Sequence, residues 1–287
     1  MIAKRCCQGL LLLILPFFLW GCAAGVASVV PAATIAAKTG YKAIQASRPI
    51  SDSEEYYVGR AVAARILTKY PLYQNPKVTE YVNEVGQTVA RKSPRPNVFR
   101  GYHFAVLDTE EVNAFACPGG IILITRGMLK SCANEDQLAA VLAHEVSHIA
   151  HKDGINSISK ARWTEVLTTL GTEAAKQYAG AAGSLITLFE GSIDDVFKTI
   201  VVNGYSRGAE LEADKEAVVI LGKAGYNPGA MVALLEKMGS KGDPEGGIMK
   251  THPPCSERLT QVKAQAKEAA TGKMAQVREK RFKELKI

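Results

Sequence analysis

Apolar positions recur at helical spacing along most of this chain, and prolines and three short β-rich runs interrupt the recurrence. A first helix opens at Ser51 or Ser53, carries Tyr57, Val58, Ala61, Ala64, Ile66 and Leu67, and stops at Pro71. A second begins after Asn75-Pro76, with proline at a favourable first position, and carries Val78, Tyr81, Val82, Val85 and Val89. Pro94 and Pro96 then break the chain. The runs 102–107, 112–117 and 121–125 are rich in β-branched and aromatic residues and are separated by polar or Gly/Pro turns, which predicts a small antiparallel sheet. From 134 to 152 the helical period returns in Leu138, Val141, Leu142, Val146 and Ile149, with Asn134 as N-cap and Gln137 three residues on. The stretch 157–203 reads as helical with loose Ala/Gly-rich parts. Two further helices precede Pro228, one follows it, and a last one runs from about 256 to 285. The sum is an α+β fold, mostly α, with a small sheet beside the 134–152 helix.

Composition changes this picture little: 287 residues, 47% hydrophobic and 22% charged, are enough to bury a core in one domain. The N-terminus changes it more. Lys4 and Arg5 precede a short apolar stretch, 10–20, and then Leu19-Trp20-Gly21-Cys22, which resembles a bacterial lipobox with Cys22 as the lipidated residue; Trp20 departs from the small residue usual there. Residues 1–21 are then a signal peptide, 22–50 a tether and 51–287 the folded domain. Ala23 and Ala24 lack the aspartate of inner-membrane retention, so the expected place is the periplasmic face of the outer membrane, with the membrane as partner through the lipid anchor. Loss of Lys4 and Arg5 takes the net charge from +7 to +5. The basic residues near the C-terminus (Lys273, Arg278, Lys280, Arg281, Lys283, Lys286) alternate with glutamates, as on a solvated helix face, and no nucleic-acid motif is present. Cys117, Cys132 and Cys255 remain in the mature chain; an odd number at irregular spacing is no disulfide framework, though one bridge plus a free thiol stays open.

The chemistry is carried by His144-Glu145-Val146-Ser147-His148. Positions i and i+4 share a helix face, so His144 and His148 can aim two imidazoles at one metal ion, while Glu145 stands beside them to take a proton from the attacking water. A catalytic zinc site needs a third protein ligand. Glu210 and Asp214, four apart in Ser206-Arg207-Gly208-Ala209-Glu210-Leu211-Glu212-Ala213-Asp214, supply the candidates. Glu210 is the expected carboxylate ligand, with Glu212 the alternative, and Asp214 is expected to accept the outer N–H of a ligating histidine.

With these residues in place, the chain resembles the zinc metallopeptidase family that includes HtpX, the Oma-type proteases and the CAAX prenyl proteases. Three further stretches are similar to that family: Asn113-Ala114-Phe115-Ala116-Cys117-Pro118-Gly119-Gly120, Ser206-Arg207, and Thr251-His252-Pro253-Pro254-Cys255-Ser256-Glu257-Arg258. The lipoprotein signal places it nearest the periplasmic LoiP- and BepA-like branch, in its form without tetratricopeptide repeats. The resemblance implies a zincin-like metallopeptidase domain with one Zn²⁺ per chain. It implies an exposed sheet edge at Asn113 and Ala114 that takes the substrate as an added strand, and Glu145, His252 and Arg258 as catalytic residues. His252 would be an oxyanion donor or, as in some relatives, a zinc ligand that keeps the enzyme latent; Arg258 would support it or hold substrate. The substrates implied are unfolded or misfolded envelope proteins. A chaperone with a latent site and a structural lipoprotein with a non-catalytic metal are the competing readings.

Overall fold

The structure is a computed structural model. It describes residues 49–158, 193–240, 251–252, 256–266, 273–285 and 287. Cys22, the signal peptide, all but the end of the tether, and Cys255 lie outside the described residues.

Helix α1 (Asp52–Lys69) starts in a capping box: the Ser51 hydroxyl accepts from the Glu54 amide, and the Glu54 carboxylate accepts from the Ser51 amide. Helix α2 (Pro76–Ala90) is capped by the Asn75 side chain, with proline at its first turn. The strands β1 (His103–Leu107), β2 (Ala114–Cys117) and β3 (Ile121–Thr125) follow. The chain continues through α3 (Arg126–Ser131), the motif helix α4 (Glu135–Ala150) and the single-turn α5 (Asp153–Asn156). After a π-helical turn at Lys198–Asn203 come α6 (Arg207–Ala224), α7 (Gly229–Ser240), α8 (Ser256–Gln265) and α9 (Lys273–Lys283). No helix among the described residues is long and apolar enough to cross a membrane.

The sheet is mixed, not antiparallel. Its order is β1-β3-β2, with β1 parallel to β3 and β2 antiparallel to β3. The reason lies in β3: Ile122, Leu123 and Ile124 are all buried, so it is apolar on both faces and belongs in the centre. Strand β1 leaves His103 exposed and goes to the edge. Strand β2 occupies the other edge yet is buried along its whole length, with Ala114 and Ala116 in one core cluster and Phe115 and Cys117 in a second.

These clusters define the layers. On one side of the sheet the core is built with α2, α4, α6 and α7, through residues such as Val82, Leu138, Leu142, Ile220 and Leu234. On the other side α1 and the 193–203 segment contribute Val58, Val62, Ile66, Val196 and Ile200. Helix α1 turns a different face inward from the one apolarity alone selects. Tyr57 is 56% exposed, while Glu55 and Gly59 are buried. Gly59 leaves no room for a side chain, since a Cβ there would lie 1.7 Å from the Pro118 carbonyl oxygen. Glu55 accepts the Gly119 amide and a two-point fork from Arg95.

Helix α4 is the middle of the molecule. Every residue from Glu135 to Ile149 is buried, and α2, α6, α7 and β2 pack around it. The single C-terminal helix expected over 256–285 is two helices, because its halves have different partners: α8 packs on α6 and α7, α9 on α4. Cys117 and Cys132 are free and buried, and burial pushes the Cys132 thiol up to about 12.

Candidate metal and active site

Helices α4 and α6 lie antiparallel, so the second half of α4 faces the first turn of α6. His144 and His148 come from the former and Glu210 from the latter. Ser206 caps α6, its side chain accepting from the Ala209 amide. His252 arrives from the segment ahead of α8. One ligand atom from each of His144, His148, Glu210 and His252 can be chosen so that all four lie within 4.8 Å of one another, and all four residues are buried.

The orientation of the two motif histidines is set from behind. His144 Nδ1 is 3.0 Å from Asp214 Oδ1, and His148 Nδ1 is 2.8 Å from Asp153 Oδ2. An ionised carboxylate only accepts, so His148 Nδ1 carries the hydrogen of its bond to Asp153, and the Asp214 carboxylate favours the same tautomer in His144. Both Nε2 atoms, 3.1 Å apart, then turn lone pairs toward each other. Each is also 3.5 Å from an oxygen of Glu210. Acceptors so close in a buried site need a cation or a proton among them. Two imidazoles and a carboxylate are the donor set of a catalytic zinc site, so the residues present fit the metal.

Electrostatics agree with that geometry. Burial alone would lower the His144 pKa, but hydrogen bonds to Asp214 and Glu210 outweigh it and push the group up to about 10. His148 moves up for the same reason: burial opposes its charge, and Asp153 and Glu210 overcome burial. Burial would raise Glu210, yet His252, His144 and His148 hold its carboxyl well below the usual range. Asp214 is likewise lowered against its burial by Arg258 and His144.

Glu145 is fully buried next to this cluster. Neither of its carboxylate oxygens has a hydrogen-bond partner among the described residues, and His252 Nε2 stands 3.7 Å from Oε1. The other ring nitrogen of His252, Nδ1, is 2.8 Å from Glu210 Oε1 and 3.2 Å from His144 Nε2. The His252 ring therefore spans the space between Glu145 and Glu210. Arg258 is turned inward. Its Nε and Nη2 donate to the two oxygens of Asp214 at 2.6 and 2.8 Å, and Nη1 donates to the His252 carbonyl at 3.2 Å and lies 3.0 Å from Glu210 Oε2. At 2% exposure it is a brace for the site and not a hand held out to solvent.

Asn113 and Ala114 are not at an exposed edge. Asn113 is 2% exposed, and Ala114 is fully buried. The Asn113 amide donates to Thr125 Oγ1, its carbonyl accepts from the Thr125 amide, and its side chain accepts from the Ala114 amide. The Thr251 hydroxyl donates to Asn113 Oδ1 at 3.3 Å, tying β2 to the segment that bears His252. Glu212, the alternative ligand, is exposed and pairs with Lys215.

Two residues at the site escaped sequence reasoning. Asp153 lies beyond the end of the motif helix; Lys152, at φ 59°, turns the chain back and delivers it to His148. Tyr205 stacks on the His148 ring, centroids 4.1 Å apart at 25°, and its hydroxyl is buried with no hydrogen-bond partner among the described residues. The only sequence signal for Tyr205 is an aromatic residue just before Ser206-Arg207. Gly204 makes the approach possible: at φ 78°, a Cβ there would fall 2.4 Å from the Thr251 carbonyl oxygen. A narrow apolar recess opens beside His144 and Glu145, walled by Val141 of α4 and by Met231, Leu234, Leu235 and Met238 of α7, with His252 and Arg258 at its side.

Comparison with known proteins meets this geometry from the other direction. The beta-barrel assembly-enhancing protease of Yersinia pestis is 25% identical over 253 residues, 84% of this chain and 50% of that protein. The protein of that name from Escherichia coli K12 is 28% identical over 235 residues, 77% of this chain and 45% of the relative. The mitochondrial metalloendopeptidase OMA1 of Arabidopsis thaliana is 29% identical over 165 residues, 55% of this chain and 30% of the relative. The chain thus spans about half the length, or less, of these curated relatives. Residues 76–266, which contain every ligand described above, match peptidase family M48. With more than half of its length covered by that match, the chain belongs to peptidase family M48.

Proposed function

We propose that this chain is a zinc-dependent endopeptidase of the bacterial envelope, acting on unfolded or misassembled proteins and carried in a latent state. One observation bears most of the weight. Two imidazole Nε2 atoms and a Glu210 carboxylate converge in a buried site, with the Glu145 carboxylate, which has no hydrogen-bond partner among the described residues, beside them. A structural metal site would have no use for that glutamate.

Zn²⁺ held by His144, His148 and Glu210 would polarise the scissile carbonyl and make water a better nucleophile. Glu145 is the general base. It takes a proton from the attacking water and returns that proton to the leaving amine nitrogen. Asp214 and Asp153 fix the tautomers of His144 and His148, and Arg258 holds Asp214 in place. His252 fills the gap between Glu145 and Glu210 where water and substrate must enter, so it acts as the latch. Its withdrawal, with the Thr251–Asn113 contact broken, opens the site. The recess against α7 holds only about 10 Å³ in this structure, and its apolar walls would favour an apolar side chain next to the scissile bond once it widens.

The envelope setting is supported by the lipobox-like Leu19-Trp20-Gly21-Cys22 and by the bacterial beta-barrel assembly-enhancing proteases among the relatives. The position of His252 also favours a second reading, a chaperone or assembly factor whose site stays latent. The deciding experiment is casein cleavage by the zinc-loaded mature protein, with Glu145→Gln and His252→Ala beside it. Slow cleavage by the wild type, none by Glu145→Gln and faster cleavage by His252→Ala is the expected pattern. Equal activity in Glu145→Gln would overturn the assignment of the base. No cleavage even by His252→Ala, with zinc bound, would make the chaperone reading the better one.

A further inference from the structure

The antiparallel α4–α6 pair has a second polar cluster at its opposite end, built as densely as the ligand site. Glu135 and Asp136, in the first turn of α4, are 0% and 8% exposed. Tyr81 of α2 donates to Glu135 Oε2 at 2.5 Å, and Tyr226, just past the C-cap of α6, donates to Oε1 at 3.1 Å. The Asn227 amide donates to Asp136 Oδ1 at 2.8 Å. Helix α9 completes the cluster. Arg281 pairs with both oxygens of Glu135, and Arg278 reaches Asp136 with Nε at 3.2 Å and Nη2 at 3.0 Å. Phe282 and Leu285 anchor α9 in the core, Phe282 against Tyr81.

The cluster joins the start of α4 to the end of α6, and the metal ligands join the end of α4 to the start of α6. His144 lies nine residue steps along the helix from Glu135, roughly 13 Å on a stiff rod. A slip of α4 along α6 would therefore carry both histidines away from Glu210. Neither arginine belongs to the stretch that matches family M48, which ends at residue 266. The basic C-terminal helix, expected to be a solvated face, instead sends two arginines to buried carboxylates.

We infer that Arg281 and Arg278 are positioning residues for the metal centre: through Glu135 and Asp136 they set the register of α4 against α6. The inference rests on the ligand assignment proposed above. A flexible monodentate cation cannot replace the Arg281 fork fully, but it keeps the charge.

The test is zinc affinity, read by competition with a chromogenic chelator in full-length mature protein, for Arg281→Ala, Arg278→Ala and Arg281→Lys. It is done in the Glu145→Gln background, so that catalysis plays no part. Zinc binding should weaken about tenfold or more in Arg281→Ala, as when ligand-orienting groups are lost, and less in Arg278→Ala, whose aspartate keeps the Asn227 amide. Arg281→Lys should recover most of it. With Glu145 restored, kcat should fall at subsaturating zinc while KM for casein holds. Should Arg281→Ala fail to fold, Arg278→Ala and Arg281→Lys still decide the matter. Wild-type zinc affinity in every folded variant, with only Tm lowered, would overturn the inference and leave the proposed activity standing. Zinc-tight wild type that cuts nothing would do the reverse.

Discussion

The two ends of the α4–α6 pair are both buried and both rich in carboxylates, yet their accounts differ. At the Glu135 end, each oxygen of Glu135 and of Asp136 has at least one donor. At the His144 end, both oxygens of Glu145 and the hydroxyl of Tyr205 have none among the described residues, and the two histidine Nε2 atoms face one another at 3.1 Å. Buried polar groups left without partners are destabilising, so a fold keeps them where something else is to bind or react. Saturation marks the end that holds the structure together; deficit marks the end that does the chemistry.

That contrast can be broken or sharpened by substitution at each end. The largest effect is expected from Glu145→Gln, which should lower kcat by about 10²–10⁴, the range of general base catalysis, while Tm and zinc content stay as they were. At the other end, Glu135→Ala should reduce unfolding free energy by about 3 kcal/mol in urea titration and weaken zinc binding through the lost α4 register, while kcat in the folded fraction returns at saturating zinc. The lower end of the range for broken buried pairs applies because Arg281 is half exposed and can return to water. A mutant of Glu135 as stable as the wild type would erase the distinction between the two ends.

A subtler effect follows from His144, whose pKa near 10 applies to the metal-free site. A folded-state pKa raised above 6.5 stabilises the metal-free protein fully below pH 6.5, and that stabilisation is lost as pH rises toward 10. Zinc competes with the same proton. Zinc affinity should therefore rise with pH through that window, by up to tenfold per unit for each proton displaced, and binding should release protons measurable in buffers of different ionisation enthalpy. A flat profile would mean that no proton sits among these ligands. The smallest change is expected from Met238→Ala, which widens the recess on α7. Cleavage-site mapping on casein should shift toward bulkier residues by a few-fold in kcat/KM, within what a single apolar contact can discriminate.

How much of this was legible in the sequence depends on what kind of signal each residue sends. Ser51, Asn75 and Asn134 announce their helices because a capping side chain acts on amides two or three residues away. His144, His148, Glu210 and Asp214 were readable because helical spacing alone puts them on shared faces. Glu55 and Glu135 were not: a carboxylate counts as surface in any apolarity pattern, and only the tertiary structure reveals the arginines and tyrosines that let each be buried. The mixed sheet was missed because alternation within a strand says nothing about which strand lies between the others; the all-apolar character of β3 was the available clue. Asp153 and Tyr205 reach His148 from a left-handed turn and a glycine-bounded segment, and neither carries a periodic signature.

The burial of α4 on every side has a kinetic meaning as well. Local opening proceeds through exposed, loosely packed segments, and between Glu135 and Ile149 this helix has none. Its amides should be among the last in the chain to exchange with solvent deuterium, at a rate set by whole-domain unfolding. The histidine pair cannot fray away from its glutamate while the domain stands. Heat inactivation should then keep pace with the loss of the entire fold, and the lifetime of the catalyst at elevated temperature becomes the lifetime of its core.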